Sequence, residues 1–335
     1  MSKIFEYQNP VDVDHLWVES LLFPIVVPEE NIYTLIYINI RPGLGVMWNQ
    51  VMVCNTLTES RADLLHYNEN HFLPAPKELT EIDSPIGLKI RSVNLPREFA
   101  IDYEHKDGTA FHVTWSGLMD PFDIHDPSHS PQAGRAKDIH IPADTNTQHY
   151  KKSGHIDMTG RIQGTLTVRG RTYQVDSIER MDHSWGPRDP MKMADMFIMN
   201  ASFGPDLAFH MICPWNPDKA GPEEFELTHG YVMEDGEVFG LTNDAVITAQ
   251  HYGTMCMNLK IKVRDVRGRE YNLTSTPNIG APWISGPNSF THNALMNWFL
   301  EGKEGYGVVM KNYSLKNLIE KRDRLQDEQT MAIYV

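Results

Sequence analysis

The segment RMDHSWGPRD, from Arg180 to Asp189, sets five ionisable side chains around one tryptophan, one glycine and one proline. Asp182 and His183 are residue types that can move protons: a histidine near neutral pH, an aspartate once its surroundings raise its affinity for the proton. In an extended chain Arg180, Asp182 and Ser184 share one face, and His183 shares the other with Trp185. Two readings stand side by side. In one, Asp182 points into an apolar cavity, where desolvation keeps a proton on it for an acid step. In the other, Asp182 pairs with Arg180 or Arg188, Trp185 plugs a barrel end, and the segment is a structural latch. The direction of Asp182 separates them.

Other reactive residue types are scattered. Asp120, Asp123, His125, Asp126 and His129 are metal-ligand types, but prolines break their loop and imply no fixed geometry. A solvated lid is the plainer reading, and no metal is expected. His210, in DLAFHMIC, sits alone on a strand, where a histidine is more often structural than catalytic. No P-loop and no nucleophile elbow is present, and the Gly-x-Gly of RPGLGVMW leads into a strand. That is a turn and not a phosphate cradle. No cofactor is expected.

The elements that must hold these residues are mostly strands. NIYTLIYINI is β-branched and aromatic. Hairpin turns are marked at Lys106-Asp107-Gly108, Arg169-Gly170, Asp235-Gly236 and Arg267-Gly268. Hairpins this close together imply antiparallel meanders, hence an all-β sandwich or barrel. On the strand from Thr109 to Leu118, alternation separates His112, Thr114 and Ser116 from Phe111, Val113 and Trp115. Helical signals are confined to the short DHLWVESLL and to one C-terminal segment capped by Ser314. Two stretches read as irregular: Asp120 to Tyr150, and TPNIGAPWISGPNSF. The domain break falls near Pro187 to Pro190, giving residues 1–187 and 188–335.

Composition narrows the partners. The 335 residues are 41% hydrophobic and 22% charged, which is globular. Thirty basic against forty-four acidic residues give a net charge of −14, a field that repels nucleic acid and anionic lipid. No apolar run has transmembrane length, no signal peptide is read at the start, and Cys54, Cys213 and Cys256 are too few and far apart for a disulfide framework. A cytoplasmic protein is expected.

The stretch GRIQGTLTVRGRTYQVDSIERMDHSWGPRD, Gly160 to Asp189, resembles a segment of the carotenoid 1,2-hydratase (hydroxyneurosporene synthase) superfamily. There a glycine-rich hairpin leads into an Asp-His-Asn/Ser-Trp-Gly signature. Kievitone hydratase-like proteins and lipocalin-like Diels–Alderases are similar in plan, and the bacterial members are closest. The resemblance is specific over these residues and elsewhere rests on length and hairpin order. It implies two lipocalin-like antiparallel β-barrel domains and cofactor-free chemistry on a hydrophobic, isoprenoid or polyketide, small molecule. It also implies that Asp182 is the proton donor. Where relatives carry a late glutamate this chain has Met310, so no second carboxylate is expected there.

The expectation is therefore a hydro-lyase or isomerase. His183 or His210 would take the returning proton or hold the water. Trp48, Trp115 and Trp185 would face a developing carbocation, with Arg188 beside them at the substrate. The alternatives are a carrier of lipids or terpenoids, with the motif as latch, and a pericyclase acting by shape.

Overall fold

The computed structural model describes residues 2–8, 15–133, 153–192, 195–216 and 218–320. The chain divides into two compact units. The first takes the chain up to Asn55, Leu64–Asp123 and the segment ending at Arg188; the second takes Thr56–Asp63, a segment starting at Ile124, and everything from Asp189. The division after Arg188 lies beside the one read from the prolines. Thr56–Asp63 joins the second unit because Thr58 N donates to Gly280 O at 2.9 Å and Glu59 accepts from Thr254 N at 2.7 Å.

The first unit contains β1 (Trp17–Val27), β2 (Ile32–Arg41), β3 (Val46–Cys54), β4 (His66–Pro74), β5 (Glu81–Asp83), β6 (Leu88–Asn94), β7 (Glu98–Glu104), β8 (Ala110–Gly117), β9 (Phe122–Asp123), β10 (Gly154–Val168) and β11 (Arg171–Pro187). They form one 11-stranded antiparallel sheet in the order β4-β3-β2-β1-β11-β10-β8-β7-β6-β5, with β9 on β10. The second unit contains β12 (Met196–Ser202), β13 (Leu207–Pro214), β14 (His229–Glu234), β15 (Glu237–Gly240), β16 (Val246–Tyr252), β17 (Met255–Arg264), β18 (Glu270–Gly286), β19 (Ser289–Leu300) and β20 (Lys303–Ser314). Its sheet has nine strands, ordered β15-β14-β13-β12-β20-β19-β18-β17-β16. Each sheet curls into a lipocalin-like half-barrel, so the fold is all-β with two such domains.

Local chemistry explains the strands. In β7 and β8 the buried Phe99, Ile101 and Tyr103 face the buried Phe111, Val113 and Trp115, while His112 is exposed. The Arg169-Gly170 and Asp235-Gly236 turns hold both central residues at positive φ (51° and 77°; 51° and 81°), the geometry that matches strand twist in tight hairpins. Two expectations fail. DHLWVESLL is not helical, because from Trp17 it is β1, a strand with every residue buried. Burial on both faces erases the period-two signal. TPNIGAPWISGPNSF is also strand, in β18 and β19. The prolines and glycines are absorbed by register shifts at Pro277/Ile279 and Ile284/Gly286.

Among the described residues the first ladder does not close: β4 and β5 end it without pairing with each other. Side chains cross the gap instead. Asn49 on β3 donates to Ser84 Oγ at 3.0 Å, and His66 and Asn68 on β4 reach Tyr103 Oη on β7 at 2.9 and 2.8 Å. One short helix, α1 (Leu315–Glu320), follows β20, and Ser314 Oγ caps it by accepting from Asn317 N at 3.1 Å. Residues 134–150 of the long loop and 321–335 of the C-terminal segment lie outside the described residues.

Candidate functional site

β11 lies at the centre of the first sheet, between β1 and β10, and Asp182, His183 and Ser184, which alternate between its two faces, are all buried. One face is the barrel core. His183 stands opposite Leu21 of β1 and Ile156 of β10, and Trp185 opposite Glu19. The His183 ring stacks on Phe5 at 5.7 Å and lies 4.9 Å from Trp185. Beyond them Phe23, Phe99 and Trp115 are fully buried. Inside this aromatic packing is a carboxylate that no motif announced. Glu19 Oε2 meets His183 Nε2 at 3.1 Å, while Oε1 accepts from Trp17 Nε1 at 3.1 Å and Gln8 N at 2.8 Å. The clue available beforehand was a glutamate, followed by one serine, in the otherwise apolar run WVESLLFPIVV.

Glycines make room for the rings. A Cβ on Gly154 would lie 2.2 Å from the Trp185 ring, and one on Gly160 2.3 Å from the Trp115 ring. The glycine-rich hairpin therefore seats tryptophans.

The other face carries the second polar group. Asp182 stands opposite Asp157 of β10 and Leu22 of β1. Arg180 Nη1 donates to Asp182 Oδ2 at 2.6 Å and to Asp157 Oδ1 at 3.0 Å. The remaining Asp157 oxygen meets His155 Nε2 at 3.1 Å. Burial works against the Arg180 charge, but Asp182 and Asp157 outweigh it and hold the guanidinium above its ordinary value. Burial likewise pulls His155 down, and Asp157 and then Asp182 push it further up, so its affinity for the proton is raised. Asp182 and His155 keep 8% and 7% side-chain exposure, against none for Asp157.

Arg188 closes the same face. It donates to Ser20 Oγ at 3.1 Å and to Ser184 Oγ, and the two hydroxyls are 2.9 Å apart. Along this row Ser20 stands opposite Asn39, and Asn39 opposite Trp48. Trp48 is three strands from β11, roughly 14 Å at ordinary strand spacing. Its ring stacks on His71 at 4.8 Å, and Tyr37 lies edge-on at 6.0 Å.

The structure thus sorts the expected residues onto two faces. Asp182, Arg188 and Trp48 share one; His183, Trp115 and Trp185 share the other. His210 belongs to the second unit, on β13, opposite Asn200 and Tyr231 and on the strand face away from that unit's core, which Phe209 and Met211 join. Of the loop aspartates, Asp120 is bound by Arg97 at 2.7 Å, and Asp126 accepts from Ser128 N and Oγ at 2.8 and 2.6 Å.

A family model described as Domain of unknown function (DUF7064) matches residues 4–314. The chain belongs to this family. No curated protein matches the DUF7064 chain. Among solved structures it is similar to kievitone hydratase from Nectria haematococca, with a TM-score of 0.52 at 12% identity over 90% of this chain and 89% of that one. A protein provisionally assigned as AttH from Nitrosomonas europaea gives 0.56 at 11%, over 88% and 92%. CghA gives 0.51 at 10%, over 89% and 88%. At these identities the likeness is one of fold: the DUF7064 chain has the two-domain lipocalin-like architecture of these proteins.

Proposed function

We propose that this DUF7064 chain is a cofactor-independent acid–base enzyme, a hydratase or isomerase, acting on a hydrophobic small molecule, with Asp182 and His155 moving the proton. The observation that carries this reading is the buried Asp182–Arg180–Asp157–His155 row, in which a guanidinium is shared between two carboxylates beside a histidine of raised proton affinity. In the dehydration direction the Asp182 carboxylate takes a proton from carbon, the neighbouring C–O bond breaks, and His155 protonates the departing hydroxyl to water. In hydration the roles reverse. Asp182 then gives its proton to an alkene carbon while His155 takes one from the attacking water. An isomerase uses the first half of the sequence and returns the proton to another carbon. Arg180 remains charged throughout. Leu22, Tyr37 and Trp48 supply apolar wall on the same face, and Arg188 with its two serine hydroxyls suits a polar end. An isoprenoid or polyketide skeleton fits that mixture.

A second reading keeps the row as a latch in a carrier of apolar ligands. The sharing of Arg180 between two carboxylates favours it, since such networks also serve structure alone. A screen of apolar alkenes and allylic alcohols, run on the protein and on Asp182→Asn, separates the two. The enzyme reading expects turnover to fall by roughly two to four orders of magnitude in the variant while ligand binding, followed by tryptophan fluorescence, persists. Full turnover in Asp182→Asn would remove Asp182 from the chemistry. Tight binding with no turnover in either protein supports the carrier.

A further inference from the structure

Away from that row, the gap in the first ladder gathers a different set of groups. His66 begins β4, and His105 and Asp107 lie on the turn between β7 and β8. Asp107 stands between the two rings: Oδ2 is 2.8 Å from His66 Nδ1 and Oδ1 is 3.0 Å from His105 Nδ1. One ligand atom from each residue lies within 4.8 Å of the others. Two ligands of a tetrahedral zinc ion sit about 3.3 Å apart, given bonds near 2.0–2.1 Å. Small side-chain adjustments at a half-exposed turn close that difference.

We propose that His66, His105 and Asp107 form a binding site for a divalent transition-metal ion of the zinc class, which ties β4 to the β7–β8 turn.

The donor set fits such an ion. Two imidazoles and a carboxylate supply three ligands, leaving a fourth position for water. Coordination through Nδ1 needs a neutral ring with its proton on Nε2. On His66 that nitrogen lies 2.9 Å from Tyr103 Oη, which can accept the hydrogen bond, and Asn68 Nδ2 holds the same oxygen at 2.8 Å. This is the outer support that orients metal-binding histidines. Asp107 Oδ1 also accepts from Thr109 N at 2.9 Å, which holds the carboxylate in place on the turn. The nearby Arg169 donates its Nε to Leu65 O at 2.9 Å.

The test uses the full chain, stripped with a chelator and titrated calorimetrically with zinc. The wild type should bind an ion saturably at or below roughly 10 µM, as three converged ligands allow. His105→Ala, a change on an open turn, should weaken that binding by at least tenfold. Asp107→Asn should do the same while keeping an oxygen for Thr109 N. Zinc should raise the melting temperature of the wild type and not that of His105→Ala. No saturable binding by the wild type overturns the proposal, and so does binding that either variant leaves within tenfold. Circular dichroism of the metal-free variants, unchanged from wild type, assigns a loss to the ligands and not to unfolding.

Discussion

Two of the buried polar residues make opposite demands on single substitutions. Glu19 accepts from Trp17 Nε1 and Gln8 N, and it also faces His183. Glu19→Leu fills the space and removes that acceptor from an aromatic core. It should cost about 3–5 kcal/mol in urea unfolding, the usual loss when one partner of a buried pair is removed. Asp182→Asn should cost less, because Arg180 keeps Asp157 at 3.0 Å. His155 supplies a pH signature. Its folded proton affinity lies above the ordinary imidazole value of about 6.5. The folded state therefore binds the proton more tightly, and the stability this adds is present below that value and lost as pH rises through the folded one. Melting curves should show the midpoint falling as pH rises above about 6.5, and His155→Gln should flatten that slope. The Arg180–Asp182 pair was legible as one of two options, since i and i+2 share a strand face. His155 and Asp157 were not, because their link to Asp182 runs through the β10–β11 register, which only the fold supplies.

At the scale of elements, the hairpin of β10 and β11 is where sequence and packing meet most closely. Gly160→Ala would place a methyl 2.3 Å from the Trp115 ring and 2.9 Å from Ser116 O. Overpacking of this kind costs about 1–3 kcal/mol and lowers the melting temperature by several degrees. Adding Trp115→Leu removes the ring and should recover part of the loss, whereas two independent defects would add. Turns were readable because Arg-Gly and Asp-Gly pairs meet a backbone demand local to themselves. The role of Gly154 and Gly160 was not, because the rings above them come from neighbouring strands. β1 was misread for a related reason: with both faces covered, its pattern carries burial but no period.

For the molecule as a whole, burial governs reactivity. Burial pushes the Cys54 and Cys256 thiols up to about 12, and Cys213 is raised as well. At pH 8 a thiol reagent should find all three only after unfolding, and reaction in the native state would contradict the packing of both units. His292 tells the acid side. Burial lowers it to about 4, with its Nε2 3.0 Å from Thr58 O. The unfolded chain takes up this proton first, so stability should decline as pH falls from about 6.5 toward 4. His292→Gln should remove that part of the decline. Among the described residues no helix is long and apolar enough to cross a membrane. The two-barrel architecture followed from hairpin order and family resemblance, while the assignment of Thr56–Asp63 to the second unit depended on backbone bonds that no local pattern encodes. The open ladder of the first unit has one more consequence, for time and not for energy. In a mid-sheet strand alternate amides bond to the neighbours on both sides, but β4 and β5 each have a single backbone neighbour, which leaves alternate amides outside the ladder. Deuterium should therefore enter the barrel from these two strands inward, reaching β11 last, and the protein should keep its central row dry through openings that already wet its rim.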